Sequence, residues 1–326
     1  MRAECNSRSE RADTMDKAYI NKITADFTEN SPTNYLSPIA KTEEELERLK
    51  HDFYANNFGR TNASSSDWAI LNKDKPDEYV GMRFYNAPIF AYGDAADEGF
   101  KKLKEPGVVG PHHFLPENWV PGAKTVISMF VPFTERVIKS NTVDPVTPSW
   151  EWRYARIDGQ QHLLALGALI RDALIEAGYN AVMPYSDEAF WAKVHDDGDN
   201  TRPVYSSNWS ERHVGYVTGL GTFGLMTNFI SKAGNCGRLN SVVTDWQVTP
   251  DVKDYEGIFD YCSGCKACYR ACPGDAFSDE GKSIDKCQQF IRQMSLSSLP
   301  RVGCGKCMSG MPCQTRSFSK TGNSSS

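Results

Sequence analysis

Apolar positions are grouped unevenly along the chain, and their spacing predicts a small set of elements. Residues 125–131 (TVISMFV) form a short β-branched run entered through Pro121-Gly122, the length and composition of a buried strand. From Gln160 to Ala177 the period changes: Leu163, Leu166, Ile170, Leu174 and Ala177 recur at helical spacing, and Gly178 supplies the stop. Tyr179 to Met183 and Leu239 to Thr244 read as further strands, so strands alternate with helix through residues 120–250. That block is expected to be an α/β or α+β domain. Residues 1–45 are polar, and Thr42 to Phe53 (TEEELERLKHDF) is an acidic helical stretch, together expected to form a peripheral arm or lid. Tyr92-Gly93-Asp94 and Pro106-Gly107 read as loops. Beyond Asp251 closely spaced Cys and Gly replace apolar mass, as in a small module held together by its cofactors. The tail Thr321 to Ser326 is solvated, and no solenoid repeat occurs. The expected division is residues 1–115 as arm and peripheral segment, 116–250 as core and 251–326 as the small module.

Composition narrows the class. The 326 residues are 40% hydrophobic and 24% charged, which supports one or two packed cores and excludes collagen-like, mucin-like and prion-like chains. Lys and Arg total 36 against 41 Asp and Glu, a net charge of −5, so no global positive field attracts nucleic acid. No apolar run approaches the roughly 18–20 residues that cross a bilayer, and the polar start lacks the apolar stretch of a signal peptide. A soluble, cytoplasmic protein without a membrane span is expected.

Ten cysteines change the picture most. Eight fall between Cys262 and Cys313, while Cys5 and Cys236 stand apart. Without a secretion signal such crowding points to metal ahead of disulfides. Cys262, Cys265, Cys268 and Cys272, followed by Pro273, spell C-x2-C-x2-C-x3-C-P, the bacterial ferredoxin run whose fourth Cys serves a second cluster. Three closely spaced thiolates hold three irons of one cubane; the fourth needs partners elsewhere, and Cys287, Cys304, Cys307 and Cys313 supply them. The expected partition is Cys262, Cys265, Cys268 and Cys313 for one [4Fe-4S] cluster and Cys272, Cys287, Cys304 and Cys307 for the other. A pair of zinc sites is the competing reading, since Cys304-x2-Cys307 alone matches a zinc knuckle. Cys5 and Cys236 are expected to be a free terminal thiol and a packed thiol.

Gly219-Leu220-Gly221-Thr222-Phe223-Gly224 fits G-x-G-x-x-G, with Asp245 lying 21 residues after the last Gly. A dinucleotide fingerprint should follow a strand, but the preceding NWSERHVGYVT is neither apolar nor alternating, and Ser210-Glu211 looks like a helix start. A tight turn, or a loop whose backbone approaches another large cofactor, are the other two readings.

The stretch ERHVGYVTGLGTFGL (Glu211 to Leu225), then Arg238-Leu239-Asn240-Ser241-Val242-Val243-Thr244-Asp245, then the double-cluster cysteines, resembles the cobalamin-dependent iron-sulfur reductases, namely the epoxyqueuosine reductases and reductive dehalogenases. Pro121 to Ser128 is similar to the strand entry of the same superfamily, and the resemblance covers roughly residues 116–316. It implies a nitroreductase-like core holding base-off cobalamin beside a ferredoxin-like domain that reduces it. The loop Gly219, Leu220, Gly221, Thr222, Phe223 and Gly224 would then meet the corrin, with Thr227, Arg238, Ser241 and Thr244 as further contacts. No D-x-H-x-x-G cobalamin motif occurs, and His162 follows Asp158 at another interval, consistent with a superfamily that lacks a lower His ligand.

Two departures bear on the reaction. Fourteen residues before Gly219, where epoxyqueuosine reductases carry an essential Asp, stands Tyr205, and reductive dehalogenases use a Tyr acid in that region. Such a phenol keeps its proton at pH 7 and can donate it. Arg212 or Arg202 would tune it or orient an anionic substrate, while His213 reads as structural. The chain also stops at Ser326 with an acidic balance, without the basic helical repeats that serve tRNA or the twin-Arg signal of respiratory dehalogenases. The expectation is a corrinoid reductase of a small organic molecule, such as an organohalide, with Tyr205 as proton donor and ferredoxin or flavodoxin as electron donor. Trp150, Trp152, Tyr154, Phe190 and Trp191 are candidates for the substrate wall or for core packing. The alternatives are an epoxyqueuosine reductase-like enzyme of tRNA modification, or an iron-sulfur electron carrier without turnover.

Overall fold

The computed structural model describes residues 15–38, 44, 77–194, 198–298 and 301–318. Cys5, the tail Thr321 to Ser326 and the stretch Thr42 to Phe53 apart from Glu44 lie outside the described residues.

A four-stranded sheet organises the molecule. Its strands are β1 (Ile89–Asp94), β2 (Thr125–Pro132), β3 (Ala181–Val182) and, later in the chain, β6 (Gly237–Thr244), in the order β1-β2-β6-β3. Every pairing in it is antiparallel, with Ile127 opposite Tyr92 on one side and Val242 on the other. The fold is therefore α+β in its sheet, and the wound parallel alternative is excluded.

The unbroken apolar run of β2 follows from its position. Ile127, Met129 and Val131 enter a core shared with α1 (Lys17–Asn30), α2 (Trp150–Ile157) and α3 (Gln160–Glu176). Val126 enters the opposite core with Val214 and Val217 of α4 (Glu211–Thr218). A strand covered on both faces has no polar side to show. The expected stripe of α3 is buried throughout, with Leu166, Ile170 and Leu174 fully inaccessible; each such side chain contributes roughly 1.5–3 kcal/mol on leaving water.

Three expectations are corrected here. Tyr92-Gly93-Asp94 is the end of strand β1. Its glycine is required because α4 crosses there: a Cβ on Gly93 would come within 2.7–2.9 Å of Thr218. The division at residue 115 also cuts the core, since β1 belongs to the sheet and α1 packs on α3 through Ile20, which is fully buried. The strand expected over Tyr179 to Met183 shortens to Ala181–Val182.

Ser210 does precede a helix. α4 ends at Gly219 in the left-handed conformation (φ 99°), and the chain turns at once into a hairpin of β4 (Gly221–Phe223) and β5 (Phe229–Ser231). A helix enters this glycine motif and a strand leaves it, the reverse of the dinucleotide fingerprint, so that reading is overturned. Asp245 instead accepts bonds from the backbone N–H and side-chain amide of Asn180.

The cysteine-rich module carries little regular structure beyond a small hairpin at residues 277–282 and α5 (Ile284–Ser295). It is tied to the core by Arg301, which is 1% exposed, makes paired bonds of 2.8 and 3.0 Å to Asp158 and stacks on Tyr154. Among the described residues no helix is long and apolar enough to cross a membrane.

Candidate metal centre and adjoining cavity

None of the eight clustered cysteines is in a disulfide. Cys268 sits on a one-turn helix (Ala267–Arg270) entered through Lys266 at φ 54°, while Cys262 and Cys265 flank the turn before it. Cys287 lies in the first turn of α5, whose start is capped by the Ser283 hydroxyl. Cys304 and Cys307 lie on a loop with Gly303 and Gly305 at positive φ. Only glycine fits at 305: a Cβ there would meet the Trp152 ring at 2.1 Å, so the loop is pressed onto α2.

The thiols are one another's charged neighbours. Cys268 has Cys307, Cys262, Cys313 and Cys265 around it, and Cys313 has Cys262 and Cys265. Cys307 has Cys287 and Cys272 as neighbours, and Cys304 has Cys307 and Cys287. Burial and neighbouring thiolates push Cys268 up to about 11 and Cys304 up to about 12; a buried thiolate set without iron is electrostatically unfavourable, and cationic iron removes that penalty. Asn235 donates 3.1 Å to Cys313 Sγ. Cys236, 1% exposed, donates to the Asn235 Oδ1; burial first, then Cys313 and Cys307 as charged neighbours, hold it a neutral thiol.

All four thiols of the second set, Cys272, Cys287, Cys304 and Cys307, open into one cavity of about 430 Å³. Its other wall is the α+β core: Arg156 from α2, Gln160 from α3, Glu211 and Arg212 from α4, Arg238 and Asn240 from β6, with Trp152 and Tyr185. Amide and guanidinium groups are donors and acceptors that suit a corrin, whose rim carries amides and whose tail carries a phosphate.

The named site residues divide clearly. Arg212 and Arg238 line the cavity; Gly219, Leu220, Gly221, Thr222, Phe223, Gly224, Thr227, Ser241, Thr244 and Tyr205 are not among its lining residues. Several of these are engaged elsewhere. Thr222 is fully buried and its hydroxyl accepts from the Tyr261 N–H; Ser241 accepts from Trp209 Nε1; Thr244 donates to the Asn180 carbonyl. A Cβ on Gly221 would strike the Ile230 carbonyl at 2.2 Å, so that glycine serves hairpin packing. Tyr205 is 40% exposed at φ 59° and its hydroxyl lies 3.4 Å from Asp285. Arg202 covers Trp191, Tyr154 is buried in the core, and Phe190 packs on Tyr185, leaving Trp152 as the one candidate aromatic on the cavity wall. His162 is buried between Phe27 and Tyr85, and His213 bonds Ser210.

Sequence reading took Glu211 only as part of a helix start. Its carboxyl reaches the cavity wall, bonds Ser241 and leaves Oε1 without a partner. Burial pushes it up to about 8, so it is protonated at neutral pH. Periodicity alone could not separate it from a surface Glu opening a helix.

The 4Fe-4S binding domain family matches residues 255–278, which contain the four-cysteine run. The structural neighbours are epoxyqueuosine reductases and reductive dehalogenases. An epoxyqueuosine reductase from Streptococcus thermophilus is 17% identical (TM-score 0.41), the match covering 69% of this chain and 62% of that one. One from Bacillus subtilis is 15% identical (TM-score 0.39), covering 82% and 66%. A reductive dehalogenase described for B12-dependent dehalogenation is 14% identical (TM-score 0.47), covering 90% and 41%. The chain thus spans less than two thirds of the length of each of these structures. Among curated proteins none matches.

Proposed function

We propose that this chain is an iron-sulfur reductase in which two [4Fe-4S] clusters deliver electrons to a small organic substrate in the cavity beside the second cluster. The observation that carries the reading is the convergence of Cys272, Cys287, Cys304 and Cys307 with Arg156, Glu211, Arg212 and Arg238 on one cavity. Its 430 Å³ lies in the range of small-molecule sites, roughly 300–1,000 Å³. Cys265, the exposed cysteine of the eight, would put its cluster nearest an external electron donor, and Cys268 and Cys307 would lie between the two clusters.

Cobalamin is the cofactor we place against this wall. When bound it supplies a low-valent cobalt centre for reductive cleavage. Gln160, Arg212, Arg238 and Asn240 would hold it, ahead of the glycine loop. Trp152 and the packed Gly303–Cys307 loop keep water from the second cluster. Glu211 holds a proton at the wall, and we assign it the donor role expected of Tyr205; Tyr205 belongs with Asp285 at the module boundary.

Anaerobic reconstitution with iron, sulfide and cobalamin tests the reading. About eight irons and one cobalt per chain are expected, with a visible spectrum bleached by dithionite. Eight irons with no cobalamin retained would remove the corrinoid part and leave the cluster reductase; zinc in place of iron would overturn the whole.

A further inference from the structure

We propose that Asn235 is a positioning residue of the cluster that Cys313 would serve: held in orientation by Cys236, its side-chain amide donates to the Cys313 sulfur and raises the reduction potential of that cluster. This rests on the reading of Cys313 as a cluster ligand. Asn235 belongs to the α+β core, just ahead of β6, and is 1% exposed. Backbone bonds fix it against the cysteine-rich module. The Asn235 N–H donates to the Cys313 carbonyl (3.0 Å) and the Cys236 N–H to the Gln314 carbonyl (3.1 Å). Gly234, at φ 86°, permits this close approach, since a Cβ there would meet the Gln314 carbonyl and the Thr315 nitrogen at 2.5 Å. Across the seam, Asn235 Nδ2 lies 3.1 Å from Cys313 Sγ.

The direction of the amide is set from its other end. Buried Cys236 donates its S–H to the Asn235 Oδ1 over 3.2 Å. With the oxygen engaged by a donor, the nitrogen is the end that faces Cys313, and each step of the series Cys236, Asn235, Cys313 has one donor and one acceptor. Reversed, the amide would set its oxygen against the Cys313 sulfur, acceptor against acceptor, and leave the Cys236 proton without a partner. Cys236 thereby has a role that needs an S–H and no metal. An N–H aimed at a ligand sulfur favours the state with more negative charge on that sulfur, which is the reduced cluster. One electron from the external donor adds to the cluster, and no bond to Asn235 forms or breaks. The seam is closed to water at Asn235, so the bond acts in a low dielectric.

The test is potentiometry followed by electron paramagnetic resonance on reconstituted protein, with iron measured on the same sample. A hydrogen bond to a charged group is worth about tenfold in an equilibrium constant. Its loss in Asn235→Leu should make one cluster about tenfold harder to reduce, about 59 mV for one electron, and leave the other where it was. Cys236→Ala should move the same cluster the same way by less, and Cys236→Ser, which keeps a donor, should restore the original potential. A seam that only packs predicts no change in potential while iron is retained. In the unaltered protein carrying nitrogen-15 at its asparagine side-chain amides, pulsed resonance of the reduced clusters should show coupling to the label, and this measurement needs no variant to fold. An unshifted potential in Asn235→Leu with its iron retained, equal potentials in Cys236→Ser and Cys236→Ala, or no nitrogen coupling overturns the proposal and leaves the cluster reading standing. Protein that takes up zinc, or no iron, overturns the cluster reading and this inference with it.

Discussion

Glu211 shows what a single residue acquires from its surroundings. In sequence it opens a helix, where an acid is favoured by the helix dipole. In the structure it faces a cavity, with Ser241 as its hydrogen-bond partner. Its folded value of about 8 lies above the ordinary carboxylate value, so the folded state binds the proton more tightly than the unfolded state. Stability conferred by holding that proton is complete at acid pH and is lost as pH rises toward about 8. Glu211→Gln, which keeps the shape and cannot ionise, should flatten this decline; denaturant midpoints at pH 5 and pH 8 in the two proteins check it. A decline unchanged in the Gln variant would place the titrating group elsewhere.

At the scale of elements, the antiparallel sheet and its two helical covers set the cavity wall. β6 is central in the sheet and brings Arg238 and Asn240 to the wall, while α2 and α4 add their arginines from either side of the strand pair β2–β6. Close contact between β1 and α4 is therefore part of the site's construction. Gly93→Ala should force Thr218 away and cost about 1–3 kcal/mol, as overpacking in a core does. A loss of that size in chemical denaturation, with the clusters still assembled, is the expected result. β2, α3 and β6 were legible because their patterns are long and regular. β1 was missed because Gly93 and Asp94 mark a turn in isolation, and its reason for carrying glycine is a helix more than a hundred residues later. The short β3 was overdrawn because an apolar run sets no register by itself.

Across the whole molecule, two buried histidines and the partly buried His213 set the acid limb of stability. Burial lowers His113 and His162 to about 3 and His213 to about 4. Each is held neutral in the fold, so the unfolded chain takes up protons first as pH falls below the ordinary value of about 6.5. Stability should fall progressively from pH 6.5 toward pH 4, more steeply than Glu211 can offset, and the optimum should lie near pH 6.5. Midpoints of thermal unfolding across pH 4–9 would show this, and a flat acid limb would contradict the neutral histidines. Arg301 and Asp158 link the module to the core, alongside bonds from Arg156 to the Val302 carbonyl and from Lys306 to the Asn141 carbonyl.

The cysteine run and the helical and strand periods of the core are local statements about spacing, and the chain alone determined them. Short spacing lets Cys262, Cys265 and Cys268 share a cubane, while the distant thiols that would complete each set depend on the fold. The glycine motif shows the limit of such reasoning. Its pattern matches a cofactor loop, but its glycines make room for a helix end and a hairpin. Only tertiary structure decided that Arg156, Arg212 and Arg238, spread over more than eighty residues, share one wall with Cys272, Cys287, Cys304 and Cys307. Charge balance, desolvation and the protonation of Glu211 depend on distances through space, and sequence order does not encode them.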